Sequence, residues 1–210
     1  GTDAPLIHYL LAARAAQLQG SEGRRDDWLK LAYEEMPEAE TAVLLTQAEL
    51  QLEHQEFERA LATLSSIQET HPNHPVALAL VAKIYQALED WDRLIALLPQ
   101  LGEARLDTRE LESLSAAALE VYAGRDGITY DDLERVWGQL PARLRKTPRL
   151  IAIYALALNG LGLGTEAEKE VRAALKRDWD EDLVLAYGRI QALDAEKQLR
   201  LAEEWLKAHA

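Results

Sequence analysis

Apolar side chains recur at helical spacing along nearly the whole chain, with Ala, Leu, Glu, Arg and Gln between them, and no stretch alternates in the manner of a strand. The fold expected from this pattern is all-α. Breakers and caps arrive at short intervals: Pro37, His71-Pro72-Asn73, Glu89-Asp90, Gly124 to Gly127, Thr147-Pro148, Gly160 to Gly164, Asp178 to Asp180 and Asp194. They divide the chain into about twelve helices. Thr147 before Pro148 reads as an N-cap followed by a first-turn proline, and Thr165 with Glu168 three residues on reads as a capping box.

Short helices joined by tight turns form either a bundle or a solenoid, and self-comparison separates the two. Aligning residues 41–74 with 75–108 sets Ala48 on Ala82, Gln51 on Tyr85, Phe57 on Trp91, Ala60 on Leu94 and Leu64 on Leu98, a period of 34. Residues 148–181 fit the same frame with Ala155, Leu158, Gly162, Ala167, Val171 and Ala174. Small residues at positions 8 and 20, an aromatic at 17 and a large apolar residue at 24 resemble the tetratricopeptide repeat, with Pro72 at the closing position. In such a repeat the small residues let the paired helices approach closely, and the large ones fill the space between hairpins. The expected architecture is one right-handed α-solenoid domain over residues 1–210, with helical hairpins at 5–36, 38–73, 74–100, 107–140, 148–177 and 181–209. The fourth carries about five extra residues, near Gly124 to Gly127 or Pro141 to Thr147.

The last third carries a narrower likeness. Leu175-Lys176-Arg177-Asp178-Trp179-Asp180-Glu181-Asp182-Leu183-Val184, then Tyr187-Gly188-Arg189, then the run from Gln198 to His209, resemble the bacterial HemY family. Leu10 to Gln17 resembles that family's first repeat, and Val136-Trp137-Gly138-Gln139-Leu140-Pro141 its central one. The resemblance implies an inner-membrane protein associated with a late step of haem (porphyrin) synthesis, with the repeat domain on the cytoplasmic side. It further implies membrane segments before Gly1 and more repeats after His209, and a chain opening on Gly1 reads as a piece of a longer protein. Leu199, Trp205 and Leu206 would then form an apolar edge prone to self-association.

Charge narrows the range of partners. The chain has 36 acidic and 23 basic residues and a net charge of −13, which opposes the phosphate neutralisation that drives nucleic-acid binding. Residues 1–60 carry −7, residues 61–140 carry −7 and residues 141–210 carry +1. Arg143, Arg145, Lys146 and Arg149 cluster within that last segment and form a candidate patch for an anionic ligand. The absence of cysteine excludes disulfides, thiolate metal sites and cysteine nucleophiles. No stretch has the length and apolarity of a membrane span.

Catalytic and cofactor motifs are weak. Gly160-Leu161-Gly162-Leu163-Gly164-Thr165 fails as a dinucleotide loop, because Thr165 stands where a third Gly is needed and a helical segment precedes it. His71 and His74 are the closest of five histidines, yet they flank Pro72-Asn73 in a turn and lack the one-face spacing of a metal site. The five tryptophans, Trp28, Trp91, Trp137, Trp179 and Trp205, read as core packing. No carboxylate pair with a partnering base or nucleophile suggests catalysis, no metal is expected and no cofactor is implied.

The remaining candidate is the concave face that first helices line in such repeats. Leu45, Glu49, Glu53, Lys83, Gln86, Arg149 and Asn159 are its candidate partner-binding residues. Leu45 and Glu49 stand where carboxylate-clamping repeats carry Lys and Asn, so a terminal carboxylate is not the expected ligand. The reading is a non-catalytic protein-interaction scaffold whose partners are proteins, haem-synthesis enzymes among them by the family resemblance, with no nucleic acid among them. The alternative is a haem or protoporphyrin carrier, in which Arg143 to Arg149 meet the propionates.

Overall fold

The computed structural model describes residues 4–192 and 194–209, the side chains of Ala4, Leu206, Ala208 and His209 aside. Twelve α-helices run through the described residues: α1 Ala4–Leu18, α2 Glu22–Glu35, α3 Glu40–Glu53, α4 Phe57–Thr70, α5 Pro75–Ala87, α6 Trp91–Glu103, α7 Thr108–Ala123, α8 Tyr130–Gln139, α9 Pro148–Gly160, α10 Gly164–Arg177, α11 Glu181–Arg189 and α12 Ala195–His209. Short 3-10 turns at Pro37–Ala39 and Leu144–Lys146 lead into α3 and α9. There is no strand among the described residues, and the helices form an α-solenoid of hairpins.

The 34-residue frame is a packing frame. Its first small position, held by Ala48, Ala82 and Ala155, is fully buried in all three copies. Ala60, Leu94 and Ala167 at the second, and Leu64, Leu98 and Val171 at the large apolar position, are likewise sealed from solvent. In the fourth hairpin, residues 124–129 join α7 to α8, and residues 140–147, which contain the second 3-10 turn, lead on to α9.

The chain groups into two compact units where the sequence suggests one domain. The first comprises Gly1–Asp90 with Glu103–Leu106, and the second Trp91–Gly102 with Asp107–Ala210. In the first, α1 packs on α2, α3 on α4, and α3 touches both α1 and α5. Its interior holds a charge: Arg25 is fully buried, donating from Nη1 to Gln17 Oε1 at 3.0 Å and to Glu56 Oε1 at 2.7 Å, and from Nε to Asp26 Oδ1 at 2.8 Å. Arg59 closes the network onto Glu56 Oε2 at 2.6 Å. In the second unit α9 is central, packing on α7, α8, α10 and α11.

Helix starts depart from expectation in two places. The capping box belongs to α8, where Thr129 Oγ1 accepts from Asp132 N at 3.2 Å and Asp132 Oδ2 accepts from Thr129 N at 3.3 Å. Thr165 is no cap, because the turn through Gly162 (φ +79°) brings the chain into α10 at Gly164 and leaves Thr165 already inside the first turn. Thr147 does precede Pro148 at the start of α9, but its hydroxyl donates back to Leu144 O at 2.9 Å.

Candidate functional site

Stacking hairpins sets their first helices side by side. In the first unit, Arg14 on α1 pairs with Glu49 on α3 and lies 3.8 Å from Glu53, so these two candidate carboxylates tie neighbouring first helices together. Leu45 on the same helix is half-buried. On α5 the strip stays open: Val76 is 44% exposed, and Lys83, Gln86 and Ala87 are exposed. In the second unit, Arg149 is exposed near the start of α9. Asn159 at its other end is a structural tie, its Oδ1 accepting from Gln191 N at 2.8 Å. The same segment explains Gly164, where an added Cβ would sit 2.1 Å from Gln191 O.

Two members of the basic cluster line different clefts. A 3-10 turn advances three residues per revolution, so neighbours in it point apart. Arg145 lines a cavity with α8, α9 and α10, its Nε shut from solvent without a hydrogen-bond partner. Lys146 lines a separate small cleft with Arg177 and Asp178. Arg143 and Arg149 are exposed.

The tryptophans are rim residues, which corrects their reading as core. Trp28 is 37% exposed and the other four are half-buried. Trp137 stacks on Tyr154 with centroids 4.3 Å apart and planes inclined by 13°. Trp205 meets Tyr187 edge-on at 4.7 Å and Trp179 at 6.0 Å. This last cluster lines an apolar cleft of about 540 Å³ beside Leu185, which is 62% exposed. Leu199 is 60% exposed, as the apolar edge requires, whereas Trp205 is half-buried and the side chain of Leu206 lies outside the described residues. Burial is the main cause that pushes the Tyr187 hydroxyl up to about 12, assisted by Glu168, whose Oε1 accepts from it at 3.2 Å.

His71 and His74 occupy the α4–α5 turn, where they act on the backbone and its neighbours. Thr70 Oγ1 lies 2.9 Å from His71 Nδ1, and His74 Nδ1 accepts from Ala77 N at 3.4 Å to cap α5. The side chain of His209 lies outside the described residues. No group of His, Asp and Glu that would hold a metal occurs among the described residues, and no helix there is long and apolar enough to cross a membrane. The glycine run Gly160 to Gly164 is the α9–α10 turn.

One cavity was not singled out by its sequence. Tyr130, Glu134 and Trp137 share a face of α8 at i, i+4 and i+7, and Glu166, Lys169 and Glu170 share one of α10. Each spacing is visible in the chain, but that the two faces meet over Tyr154 and Leu158 of α9 is a tertiary fact.

The helical hairpins, their 34-residue frame and their stacked first helices define the class: a helical-repeat α-solenoid. The family described as Tetratricopeptide repeat protein 21 ARM repeat matches residues 10–93. Within this class the chain is HemY-like. It is 27% identical over 207 residues to Protein HemY of Escherichia coli and to Protein HemY of Shigella flexneri, covering 97% of this chain and 52% of each relative. The chain thus spans about half the length of the curated relatives it matches. No solved structure matches it significantly.

Proposed function

We propose that this chain is the repeat region of a non-catalytic scaffold that holds protein partners along its layer of first helices, serving a late step of haem synthesis at the bacterial inner membrane. The observation that carries the reading is the open strip on α5, where Val76, Lys83, Gln86 and Ala87 interleave apolar and polar side chains beside the packed α3. Such a strip suits a partner helix or extended segment: apolar contacts supply affinity and single charges supply register. The pathway assignment rests on the HemY likeness alone. A porphyrin carrier draws no support from the basic segment, since Arg145 and Lys146 serve different clefts.

The test is site-specific photocrosslinking of the full-length protein in its membrane, with the photoreactive residue at Val76 or Gln86 and, as control, at the exposed Ser66 of α4. Adducts to haem-synthesis enzymes from the α5 positions and not from Ser66 are expected. Equal adducts from all three, or none, sink the proposal. A saturable Soret shift on titration with haem would favour the carrier.

A further inference from the structure

The cavity between α8 and α10 encloses about 430 Å³ over α9, lined by Tyr130, Glu134 and Trp137 from α8, Tyr154 and Leu158 from α9, Glu166, Lys169 and Glu170 from α10, and Arg145 at its edge. Its walls are of two kinds. Trp137 and Tyr154 form a parallel aromatic stack, and Tyr130 stands 45% exposed beside them. Glu134 is engaged, accepting from the Tyr154 hydroxyl, but Glu166 and Glu170 make no hydrogen bond or ion pair among the described residues. Glu134 above all, then burial and the charges of Asp131, Glu166 and Glu170, hold the Tyr130 hydroxyl above its ordinary range, while Arg145 and Lys169 bring two cations to the same lining.

Flat aromatic faces with unpaired carboxylates beside them are what a guanidinium selects, since it stacks through its plane and donates in that plane to carboxylates. A porphyrin or other polyanion would meet the Glu134, Glu166 and Glu170 charges instead. We propose that this cavity is a binding site for an arginine side chain of a partner protein, with the guanidinium against Trp137 and Tyr130 and paired with Glu166 and Glu170. The inference rests on the reading of the chain as a protein-binding repeat, and it places a second contact away from the α5 strip.

The experiment reads this cavity alone, so it stands or falls separately from the crosslinking at α5. The chain is titrated with the capped tripeptide acetyl-Gly-Arg-Gly-amide, following the Trp137 indole N–H by nuclear magnetic resonance, with the resonance assigned through Trp137→Phe. The neutral isostere acetyl-Gly-citrulline-Gly-amide and the anionic acetyl-Gly-Glu-Gly-amide are run in parallel. Saturable shifts are expected with the arginine peptide, weakened about tenfold with citrulline and about tenfold in the Glu166→Gln/Glu170→Gln variant, and reduced by added salt. Both glutamates are exposed on α10, so the variant retains its packing, and the citrulline comparison on the unaltered chain needs no variant. Equal binding of arginine and citrulline peptides, indifference to the double substitution, preference for the glutamate peptide, or no Trp137 shift up to the peptide's solubility limit would each overturn the proposal.

Discussion

Arg25 places a full charge inside the first unit, and its partners come from three helical segments: Gln17 on α1, Asp26 beside it on α2, and Glu56 at the start of α4. Removing one member of a buried ionic network strands the others, so Arg25→Ala should destabilise this unit by about 3–5 kcal/mol. Hydrogen-exchange protection of α2 and α4 amides measures it. The hydrogen bond from Arg25 is the main cause that holds the Glu56 carboxyl below its usual range, against burial, which alone would raise it. A depressed carboxylate contributes stability that is present above the ordinary glutamate range and lost as pH falls through the lowered folded value. Acid titration of the first unit's stability should show that loss, and Glu56→Gln should flatten it. Gly164 tests a different kind of fit. Adding a methyl 2.1 Å from Gln191 O forces the backbone apart, so Gly164→Ala should cost about 1–3 kcal/mol and loosen the segment after α11.

At the scale of elements, helix starts separate pattern from geometry. Thr129→Ala should destabilise α8 by about 1 kcal/mol, because it breaks a reciprocal pair of hydrogen bonds at a helix N-terminus. Thr165→Ala should leave α10 unchanged within a few tenths of a kcal/mol, since its hydroxyl caps nothing among the described residues. Thermal unfolding of the two variants side by side decides the matter. Both threonines carry an acid three residues on, so the motif alone does not tell them apart. What does is the preceding turn: Leu163 N bonds to Leu158 O at 3.0 Å and launches α10 directly from Gly164. α11 shows the complementary case, its last carbonyls satisfied by another helix, with Gln198 Nε2 donating to Tyr187 O at 2.8 Å and Ile190 O at 3.0 Å.

For the whole molecule, the last hairpin presents the apolar cleft of Trp179, Tyr187 and Trp205 beside exposed Leu185 and Leu199. Contiguous exposed apolar surface drives association. The chain should self-associate with rising concentration, and Leu185→Glu with Leu199→Glu should abolish this without lowering the unfolding midpoint, as sedimentation equilibrium would show. The helical class, the 34-residue frame and the sealed positions Ala48, Ala82, Ala155, Leu64, Leu98 and Val171 were legible in the chain, because spacing on a helix decides locally which side chains share a face. Long-range neighbours decided the rest. They bury Arg25 under Glu56, turn Glu49 and Glu53 toward Arg14, spend Asn159 on Gln191, and part Arg145 from Lys146. The same packing gathers α8, α9 and α10 around one cavity, since whether a polar side chain is a ligand site, a structural tie or a solvated charge depends on what another hairpin sets against it.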